Sequence, residues 1–312
     1  MTGAAPLFEA VAHGPEGGRA DWLETADGVP IRAVLWGAQA QKGTVLLFPG
    51  RTEYAEKYGP AAVELNARGY AVLTVDWRGQ GIAGRMHARR DMGHVGRFTD
   101  YQKDVAALLA HARALSLPEP LYLVAHSMGG CIGLRALMEG LPVRAAMFSA
   151  PMWGIMMKGA LRPFAWSLSS LSRPFGLSGT MSPGQAPHPY VLNAAFEENT
   201  LTNDPEMWAM MGRQIAAHPD LALGGPSLNW LYEALAEMRA LNRRPSPDYP
   251  VHTFLGTDEQ IVDPARIHDR MGRWPGGELT VLEGGRHEVM MELPEMRTRF
   301  YDAARDLFDA HR

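Results

Sequence analysis

The chain has 312 residues, 46% of them hydrophobic, which is enough to bury a large core as one domain with an insertion or as two domains. Its 30 basic and 34 acidic residues leave a formal net charge of −4, which gives no electrostatic case for a nucleic-acid partner. The single cysteine, Cys131, excludes an internal disulfide and is expected to be a buried packing thiol.

Residues 1–20 show no secretory signal, and no apolar run approaches the roughly 18 residues of a membrane span. We therefore expect a cytoplasmic protein. Any contact with a membrane, at its inner face, is expected to be at most peripheral.

The first half of the sequence alternates short apolar runs with amphipathic stretches. A hairpin is predicted over residues 21–36, with a turn signal at Ala26-Asp27-Gly28. The other predicted elements in this half are strands at 43–48, 70–76, 121–125 and 143–151 and helices at about 55–68 and 98–115. This alternation predicts an α/β fold with a mostly parallel sheet and helices on both faces.

The alternation stops between about residues 152 and 249. Prolines interrupt this stretch, which otherwise has the pattern of short helices and contains no strand of the earlier type. The strand and helix pattern returns from residue 250. We therefore predict a core formed by residues 1–151 and 250–312 and an inserted helical cap at residues 152–249.

The stretch 121–130, LYLVAHSMGG, places Ser127 between a predicted buried strand and a predicted helix. This is the setting of a nucleophile elbow, a turn so sharp that the residues two before and two after the serine must be small. Ala125 and Gly129 meet that requirement, although glycine is usual at the first of these positions. The alternative is an ordinary strand-to-helix turn that contains a serine.

A serine hydroxyl needs a base, because it is a poor nucleophile at neutral pH. His287 lies in a glycine-rich loop after the last predicted strand, where open parallel sheets carry their sites. The acid should lie between serine and histidine in the chain, after the preceding strand, where Asp258 and Glu259 occur. Spacing favours Glu259 and residue type favours Asp258; we prefer Glu259 and expect the other carboxylate in solvent or at a helix cap.

Attack on a carbonyl carbon creates an oxyanion, which two N–H groups must stabilise. We predict that these belong to Met128, directly after the nucleophile, and to Arg51, in the loop after the strand at 43–48. Glu53 is expected either to hold this loop or to face solvent. His126 is expected to pack in the turn rather than to act as a second base.

Several segments together resemble the bacterial lysophospholipase branch of the α/β-hydrolase superfamily, with monoacylglycerol lipases as close relatives. They are FPGRTEY, DWRGQG, DMGHVGRFTDY, AHSMGG, SAPMWGI, GGPSLNWLYEA and GGRHE. The resemblance extends from about Asp21 to the end of the chain. It implies the α/β-hydrolase fold and a carboxylic ester hydrolase that acts on single-chain lipids with no cofactor and no metal. Two positions depart from the wider family, Ala125 for Gly and Pro49 for the His of many relatives, and neither removes a catalytic atom.

The predicted cap is rich in methionine and tryptophan, which suits a deformable slot for an acyl chain. We expect substrate contacts from Glu53, Met152, Trp153 and Met156, although packing of the cap on the core would explain the three apolar residues equally well. An arginine group could meet a lysolipid phosphate, but a solvated loop is the favoured explanation for most of it. This group comprises Arg85, Arg89, Arg90 and Arg97.

The sequence thus predicts a serine hydrolase that cleaves lysophospholipids or monoacylglycerols through an acyl-enzyme, with a small lipid ester as its partner. A general esterase or serine peptidase would use the same three side chains. An acyltransferase would pass the acyl group to an alcohol, and a non-catalytic lipid-binding protein would leave the three side chains unused.

Overall fold

The structure, a computed structural model, describes residues 3–157, 159 and 161–312. Within these residues, nine strands form one sheet in the order β1-β2-β3-β5-β4-β6-β7-β8-β9. The strands are β1 Gly3–Ala4, β2 Arg19–Glu24, β3 Pro30–Trp36, β4 Thr44–Phe48, β5 Ala71–Asp76, β6 Leu121–His126, β7 Ala146–Ser149, β8 Val251–Gly256 and β9 Glu278–Leu282. Pairing is antiparallel from β1 to β5 and parallel from β5 to β9.

Helices make most of the connections between the strands. They are α1 Glu9–Ala12, α2 Gly59–Ala67, α3 Tyr101–Ala114, α4 Met128–Met138, α5 Leu161–Ser172, α6 Tyr190–Asn193, α7 Pro205–Ala217, α8 Leu228–Asn242, α9 Pro264–Gly272 and α10 Pro294–Asp309. Short 3₁₀ turns at 55–58 and 98–100 precede α2 and α3, so the two helices predicted in the first half begin a turn later than expected.

The inner strands β4, β5, β6 and β7 are buried on both faces of the sheet, and their side chains alternate between the two faces. On β4, Val45 and Leu47 share a core with residues of α2 and α10, whereas Leu46 and Phe48 share one with residues of α3, α4 and α9. A strand covered on both sides is a continuous apolar run, as the sequence shows here. The predicted mostly parallel sheet with helices on both faces is confirmed.

Residues 152–249, which we call the cap segment, connect β7 to β8, two neighbouring parallel strands. The described residues of this segment form α5 to α8 and contribute no strand to the sheet. α8 is anchored on the core through Trp230, Leu235 and Met238, which pack with residues of α3 and α4. In the described part of the chain, no helix is both long enough and apolar enough to cross a bilayer.

The parallel strands β4, β6, β8 and β9 all point the same way, so the loops that follow them meet at one edge of the sheet. Those loops carry residues 49–54, 127, 257–263 and 283–288. Every residue that the sequence predicts for the reaction lies in one of them or in the first turn of α4.

Candidate active site

Ser127 forms a strained turn between β6 and α4, with φ 49° and ψ −116°. A residue with a side chain adopts positive φ only at a cost, and such strain concentrates at functional sites. The turn brings α4 against β4: a Cβ added at Gly129 would lie 2.1 Å from the carbonyl oxygen of Phe48. The small residue that the sequence predicts at this position is therefore required by backbone contact.

Ser127, His287 and Glu259 form one hydrogen-bonded chain. The Nε2 atom of His287 lies 2.9 Å from the Oγ atom of Ser127, and its Nδ1 atom lies 2.7 Å from an oxygen of Glu259. All three residues are buried. The order of contacts, serine to imidazole to carboxylate, is the arrangement that nucleophilic catalysis by serine requires.

Glu259 is held as a carboxylate. Burial alone would raise the pKa of its carboxyl group, but His287 and two backbone N–H groups outweigh burial and keep the pKa below its usual value. Those N–H groups belong to Ile261 and Val262, at 2.6 and 3.0 Å from the second carboxylate oxygen. One oxygen is thus fixed by the backbone while the other faces the imidazole.

Asp258, the other candidate acid, is exposed. Its carboxylate accepts a hydrogen bond from the hydroxyl of its neighbour Thr257, at 3.3 Å. Of the two candidates, Glu259 is the one whose side chain hydrogen-bonds His287.

The two N–H groups predicted to face an oxyanion are free of competing partners in the described residues. The N–H of Thr52 donates to the side chain of Gln80, and the N–H on the other side of Arg51 donates to Glu53. The N–H of Arg51 itself has no acceptor among the described residues. Met128 begins α4, so its N–H lies outside the hydrogen-bond ladder of the helix. Their action on an oxyanion stays a prediction.

A buried network of charged side chains, which we call the charge network, lies behind the three candidate catalytic residues. The ammonium of Lys57 lies 2.5 Å from a carboxylate oxygen of Glu53 and 2.6 Å from one of Glu288. The Nε2 atom of His126 lies 3.2 Å from the other oxygen of Glu288. Tyr58 donates its hydroxyl proton to Glu53. The network therefore joins the loop after β4, the residue before Ser127 and the residue after His287.

The charges of this network balance. Burial would lower the pKa of His126, but Glu288 and Glu53 raise it above its usual value, which favours the imidazolium. Burial would raise the pKa of Glu288, but His126 and Lys57 hold it well below its usual value. Two carboxylates thus face two cations. Ligand atoms of Glu53, His126 and Glu288 lie within 4.8 Å of one another, yet the ammonium of Lys57 already bridges both carboxylates, so we assign no metal there.

The sequence reasoning placed Glu53 in the loop and His126 in the turn, but it missed their partners. Lys57 follows Glu53 by four residues, a spacing at which side chains on a helical stretch meet. Glu288 is the neighbour of His287. The spacing of Lys57 from Glu53 and the position of Glu288 next to His287 could both be seen in the sequence. His126 contacts Glu288 because the end of β6 lies beside the loop after β9. No local sequence pattern predicts that contact.

A cavity of about 780 Å³ opens beside Ser127 and His287. Its wall is mainly apolar and includes Met152, Met156 and Glu53. The substrate contacts that the sequence predicts for these residues stay a prediction. Further apolar wall residues are Ile155, Met157, Leu168, Val191, Met211 and Ile215.

Trp153 is placed elsewhere. It packs on Phe148 and Trp274 and donates its indole N–H to the carbonyl of Gly130. The expected substrate contact from Trp153 therefore has no support in the structure, because its ring packs in the hydrophobic core instead.

The arginine group predicted for a phosphate also lies outside the cavity wall. Arg89 pairs with Asp91 while both side chains are about half exposed, and Arg97 is exposed, as the solvated-loop alternative expects. The arginine whose side chain does line the cavity is Arg51, for which the sequence predicted only a role of the backbone.

With this geometry in place, comparison with known proteins gives the family. A family described as serine aminopeptidase, S33, matches residues 39–294. The chain belongs to this family. It is 30% identical over 306 residues to lysophospholipase L2 of Escherichia coli (strain K12), covering 91% of this chain and 86% of that protein. It is 27% identical to the probable lysophospholipase L2 of Haemophilus influenzae, covering 85% and 83%.

Solved structures show the same fold. A soluble variant of monoglyceride lipase from Saccharomyces cerevisiae, in complex with a substrate analog, matches with a TM-score of 0.72 and 22% identity, over 93% of this chain and 94% of that chain. A carboxyl esterase from Bacillus coagulans matches with a TM-score of 0.72 and 14% identity, over 95% and 99%. The α/β-hydrolase fold and the resemblance found in the sequence are confirmed.

Proposed function

We propose that this protein is a serine hydrolase that cleaves the carboxylic ester of single-chain lipids through an acyl-enzyme. The observation that carries this proposal is the buried chain Ser127–His287–Glu259, of which Ser127 and His287 line a mainly apolar cavity of about 780 Å³. A polar reaction centre that opens on an apolar cavity suits a substrate with an ester head and a hydrocarbon tail.

The chemistry follows from the contacts. The Oγ atom of Ser127 attacks the ester carbonyl carbon while Nε2 of His287 takes its proton. Glu259 holds the imidazole in the required tautomer and stabilises the imidazolium. The N–H groups of Arg51 and Met128 receive the oxyanion. His287 then gives the proton to the departing alcohol, and water, deprotonated by the same imidazole, releases the fatty acid and restores the serine.

The charge network holds the loop that carries Arg51 and the loop that carries His287 in fixed positions relative to each other. Glu53 binds the N–H of Gly50 and thereby fixes the loop that presents Arg51. Through Lys57 the same carboxylate is tied to Glu288, next to the base. Preorganised donors act on an oxyanion without reorganising during the reaction, so a rigid loop favours turnover.

The substrate class rests on the relatives and on the cavity wall. Two relatives that cover most of the chain bear the name lysophospholipase L2, and one matching structure is a monoglyceride lipase. We propose that residues 152–249 form a cap inserted into a core of residues 1–151 and 250–312, and that Met152 and Met156 contact the acyl chain. Flexible thioethers adapt to chains of different shape.

Peptidase activity is the alternative to ester hydrolysis, because the family is described as a serine aminopeptidase. An aminopeptidase must bind the α-ammonium group of its substrate with an anionic group. The acidic residues in the described cavity wall are Glu53 and Glu288, and both already bind the ammonium of Lys57. The wall therefore favours a lipid ester over a peptide.

A substrate panel tests the proposal. Wild type should hydrolyse a lysophosphatidylcholine or a monoacylglycerol far faster than an aminoacyl amide, and Ser127→Ala should abolish that activity. Faster cleavage of the amide would establish the peptidase instead. Product analysis with glycerol present separates hydrolysis from acyl transfer, since a transferase would form acylglycerol in place of free fatty acid.

A further inference from the structure

The side chain of Arg51 lies in the cavity wall with its charge uncompensated. Its Nη1 atom donates to the carbonyl oxygen of Gly224 at 3.0 Å, and its guanidinium lies 5.5 Å from the centre of the Trp230 ring. Among the described residues no carboxylate forms an ion pair with it. Burial lowers the pKa of Arg51 to about 10, which leaves a cation at neutral pH that has lost much of its water.

The buried Arg32 shows what a compensated site looks like in this chain. Arg32 binds the carboxylates of both Glu56 and Asp76. A buried cation normally requires such partners, because removing it from water is costly.

The acidic residues closest to Arg51 in the cavity wall cannot serve this purpose. The carboxylate of Glu53 accepts hydrogen bonds from Gly50, Lys57 and Tyr58. Glu288 faces Lys57 and His126. The cation of Arg51 is thus the polar group of the wall that still lacks an anionic partner among the described residues.

The length of the Arg51 side chain suits a particular ligand. Arg51 is proposed to bind the ester oxygen through its backbone N–H, and the arginine side chain separates that N–H from the guanidinium. In a 1-acyl lysophospholipid, the glycerol chain separates the ester carbonyl from the phosphorus by a comparable number of bonds. A guanidinium is a donor that phosphate oxygens prefer.

We propose that Arg51 binds the phosphate of a lysophospholipid while Ser127 attacks its ester, so that the enzyme selects phosphate-bearing substrates over neutral monoacylglycerols. This inference rests on the proposed function and names the substrate class of the same site.

The test compares two substrates of equal acyl length, a 1-acyl lysophosphatidylcholine and a 1-acylglycerol, below their critical micelle concentrations. The readout is the ratio of their kcat/KM values, because damage to the oxyanion loop lowers both values together whereas loss of a phosphate contact lowers only the first. In Arg51→Gln the ratio should fall about tenfold or more. Arg51→Lys should restore part of it.

Arg85→Gln is the matched control. Arg85 also donates to backbone carbonyls of the same segment, those of Asp220 and Ala222, but it does not line the cavity, so the ratio should stay at the wild-type value. An unchanged ratio in Arg51→Gln overturns the inference while leaving the proposed function intact. A wild type that cleaves neither lipid, or Ser127→Ala as active as wild type, overturns the proposed function itself.

If the Arg51 variants fail to fold, an inhibition experiment on the wild type provides a second test. An alkyl phosphocholine should inhibit acylglycerol hydrolysis at least about tenfold more strongly than an alkyl glycerol ether of the same chain length. Equal inhibition by the two compounds contradicts a phosphate site.

Discussion

The edge of the sheet and the cap segment differ in how tightly their side chains are held. At the sheet edge, Ser127, Glu259 and His287 are 8%, 5% and 3% exposed, and each is hydrogen-bonded or ion-paired. In the cap segment, Phe164 and Phe175 are 59% and 74% exposed, although Phe164 reaches the cavity wall. The contrast shows that the side chains at the strand ends are held by hydrogen bonds and buried charges, whereas part of the cap segment presents large apolar side chains to solvent.

The largest effect should come from the acid at the sheet edge. Glu259→Gln removes the charge that stabilises the imidazolium, so kcat/KM should fall about 10³- to 10⁴-fold. Asp258→Asn is the matched control, because that carboxylate is exposed, and its kcat/KM should remain within about twofold of wild type. A loss of activity only in Asp258→Asn would contradict the assignment of the acid.

The next effect concerns the stability of the charge network. Glu288→Gln leaves Lys57 and His126 without one of their anionic partners, and breaking a buried pair costs about 3–5 kcal/mol. Denaturant unfolding should show a loss of that order in the free energy of unfolding. Asp91→Asn breaks the exposed pair with Arg89 and should cost less than about 1 kcal/mol. Equal costs for the two variants would show that the network adds no more than a surface pair.

A smaller effect is expected from the cap segment. Met156→Ser removes an apolar side chain from the cavity wall, so KM for a long-chain ester should rise about tenfold with kcat nearly unchanged. The effect should shrink for short acyl chains that do not reach this part of the wall. Leu171→Ser, at an exposed cap residue outside the wall, should leave both constants as they are. Identical behaviour of the two variants would argue against an acyl site under the cap segment.

The pH dependence of the free energy of unfolding tests the buried charge of His126 at the sheet edge. The pKa of His126 is raised in the folded chain, so its proton contributes stability that is fully present below the unfolded pKa of about 6.5. That contribution is lost as pH rises through the folded pKa. The difference in unfolding free energy between wild type and His126→Gln should therefore be largest at acidic pH and shrink as pH rises. In a Glu288→Gln background, which lacks a carboxylate that raises this pKa, the same difference should depend less on pH.

Much of the sheet edge was predictable because its signals are local. A buried strand followed by small-x-Ser-x-Gly, and a glycine-rich loop that carries His287, are consequences of steric and hydrogen-bonding rules that act within a few residues. The choice of Glu259 over Asp258 followed from spacing. The site also depends on the strands running parallel, which the alternation of strands and helices predicted, and on the strand order, which that alternation did not predict.

The other features of the site could not be predicted from the sequence, because they depend on contacts between distant segments. Lys57 bridges two carboxylates that lie far apart in the sequence. Trp153 packs into the core because of Phe148 and Trp274, whereas composition alone suggested a substrate contact. In the cap segment, an apolar residue would suit packing and ligand binding equally well, so periodicity cannot tell which of the two it serves.

Active-site labelling tests the central claim most directly. A fluorophosphonate reacts with a serine hydroxyl only where a base activates it, so wild type should take up one equivalent on Ser127, located by mass spectrometry of the digested protein. Lysophospholipid hydrolysis should fall in proportion to labelling, and His287→Ala should prevent both. Hydrolysis that persists after Ser127 is fully labelled, or labelling of a different serine in step with the loss of activity, would contradict the account.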